Sequence, residues 1–339
     1  MIRVLVLAAA FLWRHRTRAF ALPALRRVAS RLVVLGAIFI AAAACWLGGC
    51  SPGSTRAQSE SSPPLAYVGS WGVRGDGPGQ LEDPACIATD SVGNVYIADA
   101  GSHFINKFDP RGTPLLSYQD EKLRQPQSIA VDAGGAIYVT DSSRQSAFVY
   151  FPNGDRYHQL RLSIRPGRED TLSIAVDDDG MIHILDDGAG RVFNYTPNFR
   201  LLQTWQPAAQ EPPGKTRAAS LAAGPDGYLY LADRAGSRIL RFTREGRFVD
   251  AIGASADGTD RRLSGQVAVS RKYLFVMDTD GRMLHVWSLD GRLQTEVDLA
   301  PELGQGRRPA PALAVSPHQE LLVLDAPGAR VLHYRIQLP

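Results

Sequence analysis

The sequence predicts an all-β fold of six repeated four-stranded units, on three observations. First, six short apolar segments each end in aspartate: VYIAD, IYVTD, IHILD, LYLAD, LFVMD and LLVLD, ending at Asp99, Asp141, Asp186, Asp233, Asp278 and Asp325. Second, those aspartates follow one another at 42, 45, 47, 45 and 47 residues. Third, the 339 residues include 32 Gly and 22 Pro, the composition of many short strands joined by tight turns. A period of about 40–50 residues filled with short β runs is the pattern of a β-propeller blade, so a six-bladed β-propeller is expected.

Each repeat reads as four strands. The first carries an apolar residue followed by alanine: Ile87-Ala88, Ile129-Ala130, Ile174-Ala175, Leu221-Ala222, Val267-Ala268 and Leu313-Ala314. Inner strands crowd the axis of a ring, which demands a small residue there. A turn follows at Asp90–Asn94 in the first repeat and at Asp132, Asp177 and Gly224 in the next three, where Asp and Gly supply the side-chain bond and positive φ of a hairpin. The second strand runs to the repeated aspartate. Third strands such as Ile105–Phe108, Ile239–Phe242 and Val331–Tyr334 come next, and a further Gly-bearing turn leads to an outer strand. The last repeat stops after its third strand, and a spare strand at about 66–71 precedes the first. That strand is expected to complete the sixth blade, close the ring and protect its edges.

The first repeat, GDGPGQLEDPACIATDSVGNVYIADAGSHFINKFDPRG, resembles an NHL repeat, with its Gly-rich loop, P-x-x-I-A-x-D, G-N-x-Y-x-x-D and closing F-D-x-x-G. Repeats two and four match that pattern well, and three, five and six in part: Ser270 and Ser316 stand where the first Asp would be. The resemblance spans about 65–339 and implies the fold. NHL propellers serve as protein- or RNA-binding platforms and as extracytoplasmic sensors, so it implies no single activity.

Residues 1–49 have a different character, with seven Arg, no acid, and an apolar run from Leu32 to Ala44 ahead of Leu47-Gly48-Gly49-Cys50. A basic stretch, an apolar core and small residues before cysteine form an export signal. The segment resembles a bacterial lipobox, which implies a lipidated Cys50 at the mature N-terminus and, with Ser51 following, outer-membrane sorting in a Gram-negative cell. The alternative is an uncleaved anchor over about 32–47, short of the roughly 20 residues a spanning helix needs. Residues 50–64 then form a lipidated cysteine and a polar Ser/Pro tether, and 65–339 the propeller. The net charge of +3 belongs to the whole chain; without the seven Arg it becomes about −4, which gives no argument for nucleic acid, and export argues against it. Cys86 alone stays in the folded part, inside an apolar strand, so no disulfide is expected there.

Candidate chemistry is sparse. The six aspartates admit a metal-binding ring of carboxylates, but residues repeated in every blade follow structure, and strand-ending turn acceptors are expected. Arg191, Arg238, Arg282 and Arg330 recur similarly. Gluconolactonase- and paraoxonase-like enzymes hold calcium with Glu, Asn and Asp near the axis; the Asn residues here fall in turns or third strands. Peptidyl-hydroxyglycine lyases use zinc-binding histidines, and His103, His158, His183, His285, His318 and His333 have no such spacing. Gly75–Gly79 lacks the Lys-Ser/Thr of a phosphate loop. No catalytic residue, metal or cofactor is therefore expected.

What departs from the repeat is the set of loops between blades, which carry Arg124, Arg165, Arg168, Lys215, Arg217, Arg261, Arg262, Arg307 and Arg308. They suggest a cationic cup on one face for an envelope protein or an anionic glycan, or a solvated rim whose charge is partly cancelled by Glu169, Asp170 and Asp260. The expectation is an envelope-anchored, non-enzymatic binding or scaffold module. A metal-dependent hydrolase or lyase of the six-bladed superfamily is the alternative.

Overall fold

Strands 95–99, 137–141, 182–186, 228–233, 273–278 and 320–325 are buried along nearly their whole length, which only a fold covering both faces of each sheet allows. The computed structural model describes residues 64–162, 171–209, 216–253, 263–304 and 311–338. They form six antiparallel four-stranded sheets. Blades one to five occupy 84–119, 126–161, 172–205, 218–252 and 263–298 in sequential strand order. Blade six joins Ala312–Val315, Glu320–Asp325 and Arg330–Ile336 to Leu65–Trp71.

The ring closes as the spare strand requires. Leu65 pairs with Ile336 and Trp71 with Val331, so the closing strand is one residue longer than the sequence pattern suggested. Inner strands adjoin in ring order, and the last adjoins the first. Six apolar cores result, one between each pair of neighbouring blades. Each is assembled from second and third strands, such as Ile97, Phe108, Leu324 and Val331 between blades one and six. A fully buried side chain of this size contributes about 1.5–3 kcal/mol, and the one cysteine among the described residues, Cys86, is free. All described strands and all six cores lie within residues 62–339, which is a compact unit by itself.

Two further devices join the blades. Two residues before the axial alanine, Ser128, Ser173 and Ser220 each accept a bond from the next blade's inner strand: from Ile174 N–H at 3.1 Å, Leu221 N–H at 3.0 Å and Val267 N–H at 3.2 Å. At the rim, the outer strand of one blade places a large side chain on the last turn of the next. A Cβ on Gly112 would lie 2.3 Å from the Trp71 ring, and one on Gly154 would lie 1.9 Å from that of Tyr118. In blade three the matching turn residue is Phe199, at φ +63°, and the facing outer-strand residue shrinks to Leu160. The pair exchanges size, and Phe199 stacks on His158 at 4.3 Å.

Candidate functional site

The aspartate-bearing strand ends and the loops between blades share one face, called here the loop face; the hairpin turns occupy the other. Asp99 is fully buried and accepts four backbone bonds, from Glu82 N–H (2.8 Å), Asp83 N–H (3.1 Å), Gly101 N–H (2.9 Å) and Ser102 N–H (3.0 Å). The first two belong to the loop leading into the blade, the others to the turn after the aspartate. Asp141 repeats this with Arg124 N–H and Gln125 N–H on one oxygen and Arg144 N–H on the other. Asp233 takes Arg217 N–H and Ala235 N–H. Asp278 accepts from Arg282 N–H, Asp186 from Ala189 N–H and Asp325 from Gly328 N–H. Each carboxylate thus holds strand end and turn together, and in blades one, two and four it also grips the base of the inter-blade loop.

The recurring arginines complete three of these clamps: Arg238 to Asp233 and Arg330 to Asp325 through Nε at 3.0 and 2.9 Å, and Arg191 beside Asp186 at 3.5 Å. Arg282 turns instead to Asp298, whose exposed carboxyl that hydrogen bond lowers to about 2.

Of the basic loop residues singled out in sequence, Arg124 and Arg217 are described. The Arg124 guanidinium lies 3.3 Å from His103 Nε2, and the Arg217 side chain is two-thirds exposed with Nε 3.6 Å from Asp187. Arg165, Arg168, Lys215, Arg261, Arg262, Arg307 and Arg308 lie outside the described residues, as does Cys50. The loop face also carries a cavity of about 440 Å³ among blades five, six and one, lined by Arg74, Glu82, Asp83, Leu303, Asp325 and Pro327 among others. Arg74 spans its edge and donates to Pro327 O at 2.6 Å. Sequence reading gave no sign of this cavity, because its walls come from three blades.

On the turn face a second mouth of about 290 Å³ opens on the axis. Here the repeat breaks. Asp90, Asp132 and Asp226 accept from the phenols of Tyr96, Tyr138 and Tyr230 at 3.2, 2.9 and 2.6 Å, and burial first, the carboxylates second, push those phenols up. In blade three His183 takes the tyrosine's place, with Nε2 3.4 Å from Asp177 and Nδ1 3.0 Å from Asn194. Burial pushes the Asp177 carboxyl up, but His183, the Met181 N–H and Arg244 outweigh it and hold it below the ordinary value. In blades five and six Ser270 faces a strand bearing Phe275, and Ser316 one bearing Leu322. Acid and phenol are lost together, so the missing Asp in those repeats signals a missing partner. The inner strands around the axis are lined by the alanines and enclose about 200 Å³. Cys86 is buried there, and burial pushes its thiol up. Among the described residues no group of three or more His, Cys, Asp or Glu gathers as metal ligands would.

An NHL repeat is matched at residues 123–150. That stretch is the leading loop and first three strands of blade two. No curated protein sequence matches the chain. Among solved structures, a streptogramin B lyase superposes with a TM-score of 0.56 at 14% identity, covering 81% of this chain and 90% of its own. Virginiamycin B lyase from Staphylococcus aureus gives 0.53 at 13%, covering 74% and 80%. Kuenenia stuttgartiensis hydrazine synthase gives 0.53 at 12%, covering 76% and 97%. At such identities the likeness is one of fold, and the chain is a six-bladed propeller carrying an NHL repeat.

Proposed function

We infer that the protein is an envelope lipoprotein, held by an acylated Cys50 and the 51–64 tether, whose propeller binds a partner through its loop face. One observation carries the binding role. The repeated carboxylates hold the bases of the loops at Glu82-Asp83, Arg124-Gln125 and Arg217 by backbone bonds, while the loop sequences themselves vary. A rigid frame presenting variable loops suits recognition, because ordering has already been met by the fold. The exposed cations favour an acidic protein surface or an anionic glycan of the envelope. The test is capture from envelope extract by the ring domain (62–339) and by its Arg124→Glu/Arg217→Glu variant. A partner held by the first and lost by the second supports the reading; capture that the variant keeps unchanged overturns the loop-face assignment. The mass of the mature N-terminus decides the acylation of Cys50 separately.

The lyase names of two structural neighbours favour a second reading, a metal-dependent lyase or hydrolase. Its test is the metal content of the domain after gel filtration without chelator. About one equivalent of calcium or zinc per chain would support it and open a screen of lactone, ester and lyase substrates.

A further inference from the structure

Every outer strand carries a β-bulge at the same level. The register slips between Pro114 and Leu116, Arg156 and His158, Leu201 and Gln203, Phe248 and Asp250, Leu293 and Thr295, and Tyr67 and Gly69. The residues pushed out of the ladder are Leu115, Tyr157, Leu202, Val249, Gln294 and Val68. Five of the six are large and apolar, and those five are exposed: 52, 54, 52, 39 and 49% in that order, with Gln294 the polar exception. A bulge by itself blunts an edge strand. It does not require an apolar side chain, as Gln294 demonstrates, and an apolar side chain in water forfeits the gain of burial. Of the eleven large apolar side chains exposed among the described residues, ten lie at this level or in the turn-face turns; Val73, beyond the loop end of its strand, is the exception.

We propose that this apolar girdle, along the arc from blade six through blade three, docks the disc on a lipid bilayer. Three observations select a bilayer. The bulges share one register, so the apolar band keeps a constant height, as a planar apolar boundary requires. The last turns of blades one and three, beside the band, bear the exposed Arg111 and Arg200, whose stems can lie on apolar surface while the charges meet anionic headgroups. Asp109 accepts Arg111 N–H and Thr113 N–H, and Arg156, at the start of the outer strand of blade two, is paired with Asp120 at 3.1 Å. Asp155, in the turn of blade two, is exposed and accepts from the Asn153 amide. In blades four and five the band thins, with Val249 the least exposed of the five and Gln294 polar, which sets the end of the arc. Finally, the chain enters the ring at Pro64, on the turn-side end of blade six, whose N-terminal strand starts opposite Ile336.

The proposal takes up the lipid-anchored reading and adds a second contact to it. A single lipid anchor holds the chain at the surface, and a weak second contact becomes occupied at the high effective concentration that anchoring provides. It would also turn the loop face away from that bilayer.

The test is cosedimentation of the ring domain (62–339) with vesicles of phosphatidylethanolamine and phosphatidylglycerol. The Leu115→Ser/Tyr157→Ser/Leu202→Ser variant is expected to lose about tenfold or more in partitioning. Val73→Ser, exposed at the opposite end, is expected to stay within about twofold of wild type. Gln294→Leu, which extends the band, is expected to partition more strongly. Circular dichroism and melting check that each variant is folded. A wild-type domain that stays in the supernatant, or a Val73→Ser loss equal to that of the triple variant, overturns the proposal. So does a dimer in sedimentation velocity that only the triple variant dissolves, which would make the girdle an interface between copies. Vesicle binding by the domain, with Cys50 found unmodified in the full-length protein, would sink the anchor and support the docking surface.

Discussion

Replacing Asp99 by alanine leaves four backbone N–H groups without their acceptor at the base of the first inter-blade loop. A hydrogen bond to a charged group contributes about 1.5–3 kcal/mol, and an orphaned buried donor costs about 1–3 kcal/mol. Glu82 and Asp83 are exposed, so water can reach part of that region, whereas Ser102 is buried. The sum therefore falls to about 4 kcal/mol, a large share of the 5–15 kcal/mol that holds a domain together. Asp99→Asn separates the carboxylate from its shape. With its oxygen placed where Oδ1 stands, the amide keeps the bonds from Asp83, Gly101 and Ser102 and turns its NH₂ toward the Glu82 N–H, for a cost of about 1–2 kcal/mol. Urea unfolding of the ring domain, followed by fluorescence and circular dichroism together, measures both. Thermal melting should fall by about 8 °C or more for the alanine variant. An alanine variant within about 1 kcal/mol of wild type would refute the clamp. So would a chelator that lowers the wild-type midpoint and leaves the variants unmoved, since that would make the carboxylate a metal ligand.

Three other outcomes follow from the geometry. Ser173→Ala removes the acceptor of Leu221 N–H between blades three and four and should cost about 1–3 kcal/mol in the same unfolding assay, with Ser→Ala at an exposed site such as Ser91 near zero. Gly154→Ala combines a left-handed backbone (φ +91°) with a Cβ inside the Tyr118 ring, so about 2–4 kcal/mol is expected, and a neutral result would mean that the rim of blade one yields freely. Asp177 is held below the ordinary carboxylate value in the fold, so its contribution is present above that value and fades as pH falls through the lowered one. Asp177→Asn should therefore be less stable than wild type at neutral pH, with the gap closing below about pH 4 in a pH series of melting curves. A gap that stays constant to acid pH would contradict the ion-pair account.

The period of the aspartates, the axial alanines and the spare strand before Asp99 were sufficient for the six blades and the way the ring closes. These features are legible because they are local: a strand, its turn and its small axial residue lie within one repeat, and copying the repeat copies the signal. The serines of QSIA, LSIA and ASLA stood in the same register, two residues before the alanine, and could have been read as a further repeat feature. What they bond to could not, since each partner belongs to the next blade. The same holds for the clamp. Strand-ending aspartates announce a turn, but the bonds from Asp99 to Glu82 and Asp83 reach back 16–17 residues to the loop that leads into the blade.

By itself the sequence determined the repeat, the number of blades and the strand that closes them, because hydrophobic period and turn chemistry act over a few residues. Tertiary structure alone decided which surfaces the ring exposes. The exchange of Gly for Phe199 against Leu160 and the cavity beside Arg74 arise between different blades, and the band of bulge residues becomes level only when six blades stand side by side. Their positions depend on how the blades pack around the axis, a distance in space that spacing along the chain does not encode.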